Sequence, residues 1–159
     1  MTISISRADV ENAPDILALQ KLAYKSEALL YGDCALPPLT QTLPEIEAEF
    51  ASKIVLRAIE AGRIVGSVRA SLSEHTCFVG RLVVHPDCRR QGIGTRLLLD
   101  IEEFFPAARR FELFTGTRSV DNIRLYQRLG YREYREEDQS PNVRLVFMEK
   151  RRTRAQSSV

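Results

Sequence analysis

The sequence predicts an α/β (α+β) protein, a mixed and mostly antiparallel sheet of about seven strands with about four helices packed on both faces. Three observations carry this. Apolar residues alternate in ISISRA, KIVLRAIE, RIVGSVRASL and NVRLVFMEK, and recur at helical spacing between such runs. Capping residues mark helix starts, and glycines mark ends. Finally, the strand-like RLVVHPD passes directly into RRQGIGTRL, and Leu97, Leu98, Ile101, Phe104 and Phe105 then form a helical stripe.

The elements follow in order. ISISRA is a half-buried strand. Asp9 then caps a helix with Pro14 in its first turn, and Ile16, Leu19, Ala23 and Leu30 extend it as one unit. The paired prolines of CALPPLTQT end the pattern in a stiff loop. Thr42 and Glu45 form a T-x-x-E capping box that opens LPEIEAEF. KIVLRAIE and RIVGSVRASL, joined at Ala61-Gly62, read as a hairpin, and TCFVGRLVVHP as the next strand. RRFELFT is a strand, SVDNIRLYQRLG a helix ending at Gly130, and YREYREE and NVRLVFMEK the closing strands. There is no internal repeat. We expect one domain over residues 1–149 and a basic, disordered tail over 150–159.

Composition excludes several classes. With 44% apolar and 28% charged residues in 159, the chain is an ordinary soluble domain. No apolar run approaches the ~20 residues of a membrane span. The opening MTISISRADV has no signal-peptide core, so a cytoplasmic location is expected. Cys34, Cys77 and Cys88 form no CxxC pair and suit reduced thiols. His75 and Cys77 lie at one end of a strand and His85 and Cys88 at the other, which gives no metal site. The net charge of +2 rests on the tail, where Lys150, Arg151, Arg152 and Arg154 stand. The remainder is near neutral, so neither nucleic acid nor membrane is an expected partner.

A strand, a glycine-bearing turn and a helix together make an anion site. The first helical N–H groups lack partners, the dipole favours negative charge, and glycine lets the ligand approach the backbone. A Walker loop requires GK[ST], but Gly94 is followed by Thr95-Arg96. A dinucleotide fingerprint requires a third glycine where Leu97 stands. Arg89-Arg90-Gln91-Gly92-Ile93-Gly94 fits R/Q-x-x-G-x-G/A at every position.

VVHPDCRRQGIGTRLL thus resembles the acetyl-CoA loop of the GNAT superfamily of N-acetyltransferases, including the V-x-P that ends its fourth strand. Further on, DNIRLYQRLGYRE resembles that family's N-x-x-x-Y-x-x-x-G-Y/F signature, as Asn122, Tyr126, Gly130 and Tyr131. The likeness covers residues 3–149 and implies the GNAT fold, with acetyl-CoA as co-substrate. By resemblance, the main chain of Leu82, Val83 and Val84 pairs with the pantetheine arm. The pyrophosphate lies on amides from Arg90 through Gln91, Gly92, Ile93 and Gly94 to Thr95, with the Arg89 and Arg90 side chains beside it. Asn122 contacts the thiol end, and Tyr126 is the acid that protonates the leaving thiolate. Gly80 marks a bulge where strand four leaves strand five.

The implied reaction is direct attack of a primary amine on the thioester in a ternary complex, with a strand-four amide near Val83 holding the oxyanion. The amine, of pKa near ~10.4, must first lose a proton. The family's usual glutamate on strand four is absent here, where Phe78 and Gly80 stand. Glu74 and Glu27 are the substitutes. Tyr24, Glu27 and Tyr31 share one helical face, a carboxylate between phenols that suits a small cationic amine. Gln41 lies in the proline loop, a candidate lid. Arg69, within a strand, is an alternative site for an acceptor carboxylate. A small amine or amino acid is the expected acceptor, with peptide and protein amines and association as a homodimer left open. The rival readings are an acyl-CoA-binding or sensing protein without catalysis and a nucleotide-binding module.

Overall fold

The computed structural model describes residues 2–152. β1 (Ser4–Arg7) leads through a 3-10 turn capped by Asp9 into α1 (Ala13–Ala23), α2 (Lys25–Tyr31), α3 (Pro37–Thr40) and α4 (Leu43–Glu49). Then come β2 (Ile54–Glu60), β3 (Arg63–Ser73), β4 (Thr76–Val84), α5 (Ile93–Glu103) and β5 (Arg110–Gly116). α6 (Val120–Arg128), β6 (Arg132–Ser140) and β7 (Val143–Arg151) complete the chain. The sheet order is β1-β2-β3-β4-β5-β7-β6. Every neighbouring pair is antiparallel except β4 and β5.

Strand alternation sorts the core onto two faces. Leu56 and Ala58 of β2 pack with Leu97, Leu98 and Ile101 of α5, whereas the adjacent Val55 packs with Ile16 of α1 and Ile46 of α4. The expected capping box forms: the Thr42 N–H donates to Glu45 Oε1 at 2.8 Å, and the Glu45 N–H to Thr42 Oγ1 at 3.4 Å. The hairpin turn at Ala61-Gly62 takes positive φ at both residues, 50° and 78°.

Three sequence expectations shift. The long first helix divides at Tyr24, whose ψ of −2° tilts the chain out of α1 into α2. The tail boundary at residue 150 falls too early. Lys150 lies in β7 and pairs with Glu102 at 2.9 Å, and Arg152 donates to the carbonyls of Phe105, Pro106 and Ala108. Residues 153–159, the rest of that tail, lie outside the described residues. Lastly, the proline loop is no lid. Pro37–Thr40 forms one helical turn, and the residue after it is anchored.

That anchor is Arg69 on β3, only 2% exposed. Its Nε–H donates to Glu49 Oε1 (3.1 Å), Nη1 to Gln20 Oε1 (3.1 Å) and Nη2 to Gln41 Oε1 (2.9 Å), with Glu49 Oε2 at 3.0 Å. Gln20 Nε2 donates to Pro38 O at 2.8 Å, and Gln41 Nε2 donates to Glu49. The guanidinium is therefore fully engaged within the protein and is not a receptor for an acceptor carboxylate. Burial alone would push the Glu49 carboxyl up. The Lys53 hydrogen bond, the Arg69 charge and the Gln41 amide outweigh it and hold the carboxyl below its ordinary value.

Removing one member of a buried ion pair strands the other, at a cost of ~3–5 kcal/mol. The Glu49 side chain is itself 18% exposed, so the low end of ~3 kcal/mol applies, and Glu49→Gln should lower Tm by roughly 6–12 °C in calorimetry at pH 7. Because the folded pKa is depressed, this stability is complete above the unfolded value and lost as pH falls through the folded one. The variant should accordingly lose less Tm than the wild type below pH ~4.

Candidate active site

β4 and β5 pair at Thr76↔Arg110, Cys77↔Phe111 and Phe78↔Glu112, and no further. Beyond Phe78 they separate. The register of β4 on β3 slips between Arg69↔Gly80 and Ser67↔Val83, so two residues of β4 face Val68. Arg81, at φ 53°, adopts the left-handed conformation of this bulge. The expected bulge at Gly80 thus lies one residue on. After it the ladder is regular: the His85 N–H donates to Val65 O at 2.8 Å. Alternation then turns the main chain of Val83 toward β3 and leaves the peptide groups of Val84 on the open edge. Val83 is bound to its neighbour strand, and the free edge belongs to Val84.

The loop after β4 makes two left-handed steps, Arg90 at 65° and Gly92 at 81°. α5 makes its first bond from the Arg96 N–H to Gly92 O at 3.1 Å, so the amides of Ile93, Gly94 and Thr95 have no helical acceptor. A Cβ on Gly92 would project into open space, which is where a phosphate can approach. These residues wall a long channel continued by Leu82, Val84 and Asn122 and bordered by Arg90, Arg118, Arg124 and Arg128. Arg89 also lines it, but its Nη2 donates to Ala23 O at 3.0 Å and closes the end of α1. An open strand edge leading to unpaired helix amides in a cationic channel fits acetyl-CoA, with its extended arm and its phosphates.

A second cavity lies where the strands part. Tyr24, Glu27, Tyr31, Arg81, Phe114 and Tyr126 line it, and Leu36, Pro37 and Pro38 close one side. Tyr126 is 7% exposed. Burial, then the neighbouring Tyr24 and Glu27, raise its pKa well above the ordinary tyrosine value, so the hydroxyl keeps its proton. Asn122 donates to Thr115 Oγ1 at 3.3 Å and reaches both cavities. Ser119 precedes α6 yet makes no capping bond with its side chain. Its Oγ donates to Glu27 Oε2 at 2.8 Å and sits 2.7 Å from Tyr31 Oη, which accepts from the Arg118 N–H at 3.0 Å. Since the Ser119 proton goes to Glu27, Tyr31 donates to Ser119. Gly116 makes room, because a Cβ there would come within 2.0 Å of Tyr31 Oη.

Of the two candidate bases, Glu27 lines both cavities. Glu74 is exposed in the β3–β4 turn, before the paired part of β4, and lines neither. Sequence reading missed Ser119 and Arg81. Ser119 contacts residues 88 and 92 positions away, and no local signal carries that.

A mixed sheet opened between its one parallel pair, with a glycine loop below the opening, defines an acyltransferase class. The chain belongs to the acetyltransferase (GNAT) family, whose sequence model matches residues 18–131. It is 30% identical over 121 residues to the UPF0157 protein YqkA of Bacillus subtilis, covering 76% of this chain and 35% of that one. The chain thus spans about a third of that relative's length. The fold is also that of the PaiA N-acetyltransferase of Thermoplasma acidophilum in complex with coenzyme A, with a TM-score of 0.79 at 16% identity over 96% of this chain and 100% of that one. The ribosomal-protein-S18-alanine N-acetyltransferase of Escherichia coli gives 0.74 at 17% identity, over 94% of each chain.

Gly92→Glu would put a carboxylate into the open space beside the free amides. Acetyl-CoA at about 100 times its Kd should stabilise the wild type by ~2.7 kcal/mol. The same addition should leave the Tm of the variant unchanged relative to its own ligand-free value. Equal shifts for both proteins would refute the loop as the phosphate site.

Proposed function

We propose that the protein is an acetyl-CoA-dependent N-acetyltransferase that acetylates a primary amine, a small molecule rather than a protein, by direct transfer within a ternary complex. One observation carries this reading. The phosphate channel and the second cavity share Tyr24, Glu27, Leu82, Ser119 and Asn122 as walls, so a ligand in one meets a ligand in the other beside Tyr126. Bound acetyl-CoA supplies an activated acetyl thioester; the chain's residues do the rest.

Glu27 Oε1 is the proton acceptor for the incoming ammonium, directly or through water, while Ser119, itself bonded to Tyr31, holds Oε2. The peptide groups of Val84 and its bulged neighbours hold the co-substrate in line along the open edge. Tyr126 holds a proton at Oη and donates it to the departing sulfur. Burial keeps this hydroxyl protonated throughout the physiological range, so a proton is on hand where the sulfur departs, though from a weak acid, and it must move as the carbon–sulfur bond breaks. A binding protein without chemistry has no use for such a hydroxyl where the cavities meet. The three free cysteines, two of them buried, suit a reducing compartment such as the cytoplasm.

Tyr126→Phe keeps the ring and its tilted contact with Tyr131, centroids 6.2 Å apart, and removes only the donor. We expect kcat to fall by roughly 10²-fold, the low end for a general acid, since a thiol is already a fair leaving group. The Kd for acetyl-CoA, measured by calorimetry, should change less than ~2-fold. Unchanged turnover at pH 7 would move the acid elsewhere, and joint loss of binding and Tm would make Tyr126 a packing residue.

A further inference from the structure

Arg81 has a charge with nothing to answer it. The bulge places it on β4 in the left-handed region, where a residue with a side chain is held only by its surroundings. Arg81 lines the cavity at the parting of the strands and not the phosphate channel. Its Nε is buried without a hydrogen-bond partner. Among the described residues no ion pair includes it. The other arginine of that region, Arg69, is saturated by Glu49, Gln20 and Gln41. A buried donor with no acceptor is costly, and a planar guanidinium matches a carboxylate in two parallel bonds.

The cavity already has a carboxylate of its own, Glu27, bonded to Ser119 at 2.8 Å. Burial raises the pKa of the Tyr24 hydroxyl, and the nearby charges act on it with opposite sign: Arg81, and more weakly Arg69, lower it and Glu27 raises it. A cation and an anion thus flank one space whose other walls are mostly aromatic or aliphatic, among them Tyr31, Phe114, Leu36 and Leu145, with Thr115, Asn122 and Gln139 as polar exceptions. Phosphates have their own loop beyond the end of β4, and Arg81 does not line that channel, so the anion that satisfies Arg81 arrives with the acceptor.

We infer that the acceptor is a small amino carboxylate with an apolar or aromatic substituent, its ammonium at Glu27 and its carboxylate on Arg81. This rests on the transferase reading above and gives that site its specificity determinant. The ammonium gives one proton to Glu27, which passes it to solvent, and the free amine bonds to the acetyl carbon as the carbon–sulfur bond breaks. The sulfur takes its proton from Tyr126. The second proton of the amine is lost from nitrogen as the amide forms and, through water, restores Tyr126. Arg81 takes no part in the proton transfers and only binds.

The test is acetyl transfer from acetyl-CoA, followed by thiol release, to the standard amino acids, to their carboxamides and to simple alkylamines. Each is run with wild type, Arg81→Asn and Arg81→Lys. Asparagine tolerates the left-handed backbone, and lysine keeps the charge without the fork. A charge-assisted pair contributes roughly 10–100-fold. The wild type should therefore favour its best amino acid over the matching carboxamide by at least ~10-fold in kcat/KM. In Arg81→Asn that ratio should collapse toward one, mainly through KM, and Arg81→Lys should retain part of it. Retention of the full preference in Arg81→Asn, or equal use of acid and amide by the wild type, would overturn the inference. Transfer to alkylamines alone would overturn it while leaving the transferase reading intact. No transfer to any amine by protein that binds acetyl-CoA in calorimetry would overturn both.

Discussion

The parting of β4 and β5 after three paired residues is the constraint on which the rest depends. A parallel pair inside an otherwise antiparallel sheet has no hairpin to hold it together, and α5 is its connection. When the two strands separate, β5 keeps β7 on its other edge, from Arg110 to Gly116, and loses nothing there. β4 keeps β3, but the edge it presented to β5 is left with unpaired peptide groups. Main-chain groups away from water need partners, so this edge calls for a ligand that can behave like a strand. The bulge at Arg81 reinforces the separation by taking two residues of β4 out of step with β3.

The opening stays open because both of its sides are fixed by polar hubs. On the α1–α4 side, Arg69 gathers Gln20, Gln41 and Glu49 from three separate segments and fixes the proline loop as a wall. On the α6 side, Tyr31 reaches over Gly116 to Ser119 and passes a hydrogen bond on to Glu27. These hubs have different consequences. The first is saturated and serves stability. The second ends on a carboxylate with one oxygen still free to take a proton, and Tyr126 stands beside it with its own proton secured by burial.

Much of this was legible in the sequence, for a physical reason. Strand period, capping boxes and glycine turns are local, and they placed all seven strands, the α4 cap and the α6 end. The phosphate loop is local too, because a glycine with positive φ at a helix start has few other uses. Tyr126 and Asn122 came through a spaced signature. What stayed illegible was set by distant partners. Arg69 looked available because Glu49, Gln20 and Gln41 lie 20 or more residues away. The break at Tyr24 is disguised by helix-forming residues on both sides. The bulge was assigned to Gly80, the residue with the freedom to make it, whereas the strand bends at Arg81.

The central claim is that the open edge of β4 and the first amides of α5 together receive acetyl-CoA. Amide hydrogen exchange resolved to single residues, with and without acetyl-CoA, tests it most directly. The account predicts slowed exchange at Val84 and at Ile93, Gly94 and Thr95. It predicts no change at Thr76, Cys77 and Phe78, where β4 is already paired with β5. Protection confined to other segments, or no protection at Val84 when acetyl-CoA is saturating, would contradict it.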